Sequence, residues 1–293
     1  MSSVSNSVSD KIRSTFNFSV DKFPLSGPDG MSTPLYGLFR SDNSSLVGSK
    51  SVTARYHPHT TDDVCALADA AENAFDDDID VRCHFRAGHY VDVKPNLAQR
   101  KAVYGTEDNI WPRVLIRAGY DGESFRASLG YFRDACDNMA MMSMVNGTSV
   151  CIRHTSGLRS KMDELIATFN TLKNSWSNLT DVVDQMQSRE VVLADFLNQL
   201  YPQPTVAEGR GVTIHRNRTE SIVRRVMRER MSTGRPTLVG DFKISAWEAY
   251  NAIQGYVQHD AVARKGFSGE FDRIIRAAND QTVRKAERLA LAA

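Results

Sequence analysis

Cysteine is scarce in this chain. Only Cys65, Cys83, Cys136 and Cys151 occur among 293 residues, and no two stand at CxxC spacing. So sparse a set reads as buried thiols in a reducing compartment, not as a disulfide framework. Long apolar runs are missing too: no stretch of about 18 apolar residues is available to span a bilayer. The opening MSSVSNSVSDKIRSTF lacks the apolar core of a secretion signal. The expectation is a cytoplasmic protein with no membrane partner. Charge of one sign is not in excess, since 36 basic and 35 acidic side chains leave a formal charge of +1. That excludes a wholly basic nucleic-acid coat but leaves room for a local basic face. Nucleotide machinery is absent as well. There is no GxxxxGK[ST] phosphate loop and no GxGxxG after a strand, so an ATP-driven helicase or recombinase is not expected. HExxH and GxSxG are also missing, and no cofactor is expected.

What is present is a globular composition, with 41% hydrophobic and 24% charged residues. The length is enough for one large or two modest domains with their own cores. Residues 1–33, rich in Ser, Asn, Gly and Pro, read as a flexible arm. Residues 34–150 read as an α+β domain, an antiparallel sheet of hairpins with flanking helices. Residues 151–293 read as a helical region packed on it.

Within the sheet domain, Pro34 to Val47 suggests a hairpin and Val52 to His57 a further strand. Thr60-Thr61-Asp62-Asp63 is a helix start, a hydroxyl cap with acids at the positive end of the dipole. Val64, Leu67, Ala68, Ala71 and Phe75 then fall on one helical face. Val81 to Arg86 alternates strictly, with Val81, Cys83 and Phe85 toward a core and Arg82, His84 and Arg86 outward. Ala87-Gly88 turns into His89 to Val93. Asp121-Gly122 joins a strand over Arg113–Gly119 to one over Ser124–Leu129. A helix is expected over Tyr131 to Met144. Farther on, Leu158, Met162, Leu165, Phe169, Leu172, Trp176, Leu179, Val183 and Met186 advance by alternating steps of four and three. That predicts one long helix with an apolar seam. The seam packs on the chain's own elements or against a neighbouring subunit.

Several clusters could carry chemistry. His57, His59, Cys83, His84 and His89 could approach one another, though their spacing fits no zinc finger; ordinary polar or buried roles are the plainer reading. Asp62 to Asp80 holds eight carboxylates and no Lys or Arg, which suits a solvated helix face. Asp80, Asp92 and Lys94 could alternatively hold magnesium and activate water in a nuclease. Asp241-Phe242-Lys243 repeats the Asp-x-Lys pattern elsewhere, so the pattern is not selective.

The basic clusters are richer. Arg82, Arg86, Arg113, Arg117 and Arg126 belong to neighbouring strands, with Tyr56, Tyr90, Tyr104 and Tyr120 close by in sequence. Guanidinium groups on one sheet face would track phosphates while rings stack on bases. The competing reading is a solvated face ion-paired to the acidic helix. A second cluster, Arg216, Arg218, Arg224, Arg225 and Arg228, lies on a predicted basic helix. From 215 to 235 seven arginines meet two acids, and the arginine fork grips phosphate in two places. This cluster binds nucleic acid or forms a subunit interface.

The segments PLYGLFRSDN, RYHPHTTDDV, VRCHFRAGHYV, IRAGYDGESFRASLGYFRDACDNMAM and CIRHTSGLRSKMDEL resemble a phage/plasmid-like protein family of unknown function. TIHRNRTESIVRRVMRER and SAWEAYNAIQGYVQHD are similar to it too, so the likeness runs from about residue 34 to the end. It implies a mobile-element gene. The order of hairpins and helices is also similar to the core of phage single-strand annealing proteins of the Erf and Red-beta type, which work without ATP in rings or filaments. By that analogy the chain is expected to be a homo-oligomer that binds single-stranded DNA, or RNA, in recombination or replication, and not an enzyme. The alternatives are the metal-dependent nuclease and a structural or host-interaction protein without catalysis.

Overall fold

In a computed structural model of the chain, the structure describes residues 7–48, 50–75, 79–95, 100–104, 108–120, 125–142, 144–152, 158–205, 207–237, 240, 242–261 and 269–293. The fold is α+β. It divides into two compact units. The first comprises Met1–Ala98, Arg113–Leu129 and Ser149–Ser175; the second comprises Gln99–Pro112, Gly130–Thr148 and Trp176–Ala293.

The first unit opens with helix α1 (Val8–Thr15). Ser7 caps it, its Oγ accepting from the Asp10 N–H, and the Asp10 carboxylate accepts in return from the Ser7 N–H. Strands β1 (Val20–Ser26), β2 (Ser32–Arg40) and β3 (Val52–Thr53) follow and form a three-stranded sheet in that order. The arm expected over residues 1–33 is therefore corrected from Ser7 onward. Ile12, Phe16, Phe18 and Val20 are buried, and apolar anchors at that spacing fix a segment that composition alone marks as loose. The strand expected over Val52–His57 shrinks to two residues.

Helix α2 (Thr61–Phe75) forms where expected. Thr60 Oγ1 accepts from the Asp63 N–H at 3.2 Å, and Asp63 accepts in return from the Thr60 N–H at 2.8 Å. All five residues of its expected apolar face are buried. Helix α1 packs on α2 and on β4 (Ile79–Phe85), and α2 packs on β5 (Gly88–Pro95). The larger sheet continues through β6 (Lys101–Ala102), β7 (Asn109–Gly119), β8 (Phe125–Arg133), β9 (Asn138–Met141) and β10 (Ser149–Ile152). Its order is β10-β8-β7-β5-β4, with β6 on β7 and β9 on β8. The Asp121-Gly122 turn lies outside the described residues.

The helix expected over Tyr131–Met144 is a correction: those residues end β8, turn, and form β9. Asp137 takes φ 52°, which no helix accommodates, and Gly130 to Arg133 pair antiparallel with Asn138 to Met141. The long helix α3 (Met162–Ser188) follows a short 3-10 turn at Leu158–Lys161. Its seam from Leu165 to Met186 is buried within the chain itself. Residues of β7, β8 and α3 fall in both units.

The second unit also holds β11 (Glu190–Val192), α4 (Leu193–Leu200), α5 (Arg210–Ser232), β12 (Lys243–Ser245), α6 (Ala246–Gly255), α7 (Glu270–Asn279) and α8 (Gln281–Ala292). β11 and β12 pair with each other. Every residue of α6 is buried. Its amides and that of the π-helical turn Tyr256–Asp260 that follows serve the edge of the sheet: Gln254 donates to the Met139 carbonyl at 2.9 Å, and Gln258 in the turn accepts the Met139 N–H at 3.1 Å. Asn251 accepts from the Tyr131 hydroxyl at 2.9 Å. A helix this enclosed needs such partners, because an unmet polar group in the core costs about 1–3 kcal/mol.

Candidate nucleic-acid interface

The register of the first unit decides which side chains share a face. Arg82 stands opposite Asp92, His84 opposite Tyr90, and Asp80 opposite Lys94. Tyr90 in turn faces Arg117, and Asp92 faces Leu115. Directly paired residues in an antiparallel sheet point the same way, so Asp80, Arg82, Tyr90, Asp92 and Arg117 lie on one face, and alternation along β7 adds Arg113. The opposite face carries Val81, Val91, Val93, Val114 and Ile116, all buried. Arg126 belongs to the arginine face. Its neighbour Phe125 meets the His59 ring at 5.1 Å, and His59 bonds His89, which alternates with Tyr90.

The geometry differs from arginine to arginine. Arg82 grips Asp92 Oδ2 through Nε at 2.9 Å and Nη2 at 2.7 Å. Asp92 is buried, whereas the Arg82 side chain keeps 39% of its exposure. The Arg117 guanidinium sits 5.8 Å from the Tyr90 ring centre. Arg113 is buried at 8% exposure, and Arg86 is half-buried beside the β4–β5 turn, its N–H bonded to the Gly88 carbonyl. Arg126 is exposed and stands opposite Cys151, which is exposed too. The anticipated ring platform is thinner than expected. Tyr90 is on the face but is buried at 5% exposure, and Tyr120 is buried and donates its hydroxyl to the His59 carbonyl at 3.0 Å.

In the second unit α5 presents two faces. Ile222, Arg225, Val226 and Glu229 form its buried stripe. Arg216, Arg224 and Arg228 are exposed and recur every one or two turns, over about 18 Å of helix. Arg218 lies over the Tyr201 ring at 4.4 Å, and Arg224 reaches Glu220 at 3.8 Å on the exposed surface. Arg225 is a correction: it is no member of an outward strip. It is 7% exposed and clasps Asp260 at 2.9 and 3.0 Å. Arg230 and Arg235 likewise converge on Glu248, at 2.6 and 2.8 Å.

Sequence reasoning missed a buried ion cluster nearby. Arg133 bonds Asp108 Oδ2 at 2.7 and 2.9 Å and Glu229 Oε2 at 2.7 Å. Burial lifts the Glu229 carboxyl above its ordinary range, and the Arg133 and Arg225 charges pull it back. The signal available in the sequence was Glu229 itself, an acid on an apolar helical stripe.

The nuclease trio is partly assembled. Asp80 and Lys94 are cross-strand partners, but Asp80 bonds Lys11 at 2.5 Å, which holds its carboxyl below the usual carboxylate range. Asp92 is engaged by Arg82. Among the described residues no three His, Cys, Asp or Glu side chains are placed to hold a metal ion. Of the histidine cluster, His59 and His89 meet, Nε2 to Nδ1 at 2.9 Å, while His57 is exposed. Asp241 and Asp76 to Asp78 lie outside the described residues.

Residues 49–290 match the model of a family described as Domain of unknown function (DUF932). The chain belongs to that family. No curated protein matches the chain, and no solved structure does. The DUF932 match begins after β2, so α1 and the first two strands precede it, while both arginine clusters fall inside it. Among the described residues, no helix is long and apolar enough to cross a membrane.

Proposed function

We propose that this DUF932 chain binds single-stranded DNA and anneals complementary strands without ATP, as a homo-oligomer encoded by a phage or plasmid. One observation supports it above the others: the cross-strand register puts Arg82 and Arg117 on a single sheet face with Tyr90, and alternation along β7 and β8 adds Arg113 and Arg126. Exposed Arg216, Arg224 and Arg228, with Arg218 beside them, add a strip on α5. The mechanism is binding, not bond making. Neutralised phosphates lower the repulsion between two strands. RNA would satisfy the same chemistry. The nuclease reading is less favoured, because Lys11 and Arg82 occupy the carboxylates a metal ion would need.

The test is fluorescence anisotropy with a labelled single strand across a salt series. The expected result is an affinity that falls steeply between about 50 and about 200 mM salt, with a slope near −0.7 for each phosphate neutralised. Arg216→Ala, Arg224→Ala and Arg228→Ala together should shorten that slope by roughly two units. An affinity indifferent to salt overturns the proposal.

A further inference from the structure

A cavity of about 280 Å3 opens in the first unit, between the start of β1 and the start of α2. Phe18, His59 and Tyr120 give it aromatic walls, and Ser19, Thr60 and Thr61 give it hydroxyls. The imidazole of His59 lies flat on the Tyr120 ring, 4.0 Å between centres and 12° between planes. Asp21 and Lys22 also line it. Lys22 donates to the carbonyls of Ala54 and Tyr56 at 2.6 and 2.9 Å and lies 5.0 Å from the centre of the Tyr36 ring, so that its positive charge is held at the cavity wall. Asp21 accepts from Ser19 through Oδ2 at 2.8 Å, which leaves Oδ1 for a donor.

Behind the wall stands a group that packing alone does not account for. His89 is 1% exposed and bonds His59 through Nδ1, yet among the described residues its Nε2 has no partner. An orphaned buried nitrogen costs stability, and such exceptions call for an explanation. Through its Nδ1 the His89 ring fixes the orientation of His59 at the cavity wall.

The volume sits just below the roughly 300 Å3 at which small-ligand pockets begin. A space of that size seats one base, with the sugar and phosphate at its mouth. Aromatic walls ask for a flat ring, the Asp21 oxygen asks for an N–H edge, and the Lys22 charge asks for a phosphate. We propose that this cavity binds a nucleobase together with its 5′-phosphate, guanine being the base whose N–H edge best meets a carboxylate. The proposal goes beyond the annealing reading, since a free mononucleotide satisfies it as well as a base within a strand.

The experiment is calorimetric titration of the full-length protein with dGMP and, separately, with 2-deoxyribose 5-phosphate. Saturable dGMP binding at least about tenfold tighter than that of the baseless sugar phosphate is expected, the usual worth of one stacked base. Equal binding of the two, or no saturable dGMP binding at millimolar concentration, overturns it. Ser19→Trp, at an exposed position on the cavity rim, fills the space and should remove the dGMP preference while leaving the thermal melt unchanged. A single strand and an abasic strand of equal length complete the series. Binding of dGMP with no binding of either strand assigns the cavity to free nucleotides and defeats the annealing reading alone. Equal binding of both strands without dGMP binding defeats the cavity proposal alone.

Discussion

Arg133 holds two acids together in the interior of the second unit. It is 2% exposed and serves both Asp108 and Glu229. Removing one partner of such a cluster strands the others in a medium where bare charge is costly. Arg133→Met should therefore lower the unfolding free energy by about 3–5 kcal/mol, read from urea denaturation. Arg126→Ala, at an exposed position, should change it by less than about 0.5 kcal/mol. His89 governs a different response. Burial first, and then the Arg40 charge, push its pKa down to about 3, whereas in the unfolded chain it titrates near about 6.5. The unfolded state thus takes up a proton that the folded state refuses. The stabilising difference is whole above about pH 6.5 and shrinks as pH falls toward about 3, by up to about 1.4 kcal/mol per pH unit. Thermal melts between about pH 7.5 and about pH 4 should show this loss, and His89→Phe should flatten it. Thiol chemistry follows the same environments. Cys151 is exposed, contrary to the expectation of buried thiols, while burial lifts Cys83 to about 11 and Cys136 to about 12. Mass spectrometry after brief alkylation at neutral pH should find Cys151 modified and Cys65 and Cys136 spared.

At the scale of the element, α3 rests on its seam. Phe169 is wholly buried, and Phe169→Ala should cost about 3–5 kcal/mol. Thr171→Ala, on the exposed side, should cost less than about 0.5 kcal/mol, both measured by denaturant midpoint. Gly130 sets the approach of β9 to β8. A Cβ there would lie 1.9 Å from the Ala140 carbonyl oxygen, so Gly130→Ala should part the strands and lower stability by about 3 kcal/mol or more. Helices α2 and α3 were legible in the sequence, because a period near 3.6 sustained over several turns has one interpretation. The stretch 131–144 was not. Met139, Ala140, Met141 and Met142 are good helix formers in a short apolar run, and tertiary pairing with β8 decided against their propensity. Helix α1 carried a readable signal that composition masked: Ser7 and Asp10 at capping-box spacing, then Ile12 and Phe16 one turn apart. The candidate site was half legible. Outward Arg82 followed from alternation along β4, but its alignment with Arg117 depends on turns whose length sets the register. On α5 the inward Arg225 was readable in principle, since it shares spacing with Ile222, Val226 and Glu229.

For the molecule as a whole, a formal charge of +1 means that the proposed attraction to a polyanion has to be local. Binding should vanish with the exposed arginines and not drift with overall charge. If the proposed function holds, fluorescently paired complementary strands should anneal faster with the protein and without ATP, and light scattering should report a multimer at the working concentration. Gly255 shows how closely parts of the second unit interlock: a Cβ on it would press on the Arg225 guanidinium at 2.8 Å. The two units are also interleaved along the chain, which enters each of them more than once, and β7, β8 and α3 contribute residues to both. A chimera with its breakpoint anywhere between residues 99 and 175 would graft pieces of both units from different parents. Neither half-gene would then encode a complete core, so shuffling among relatives should preserve this stretch as one inherited block.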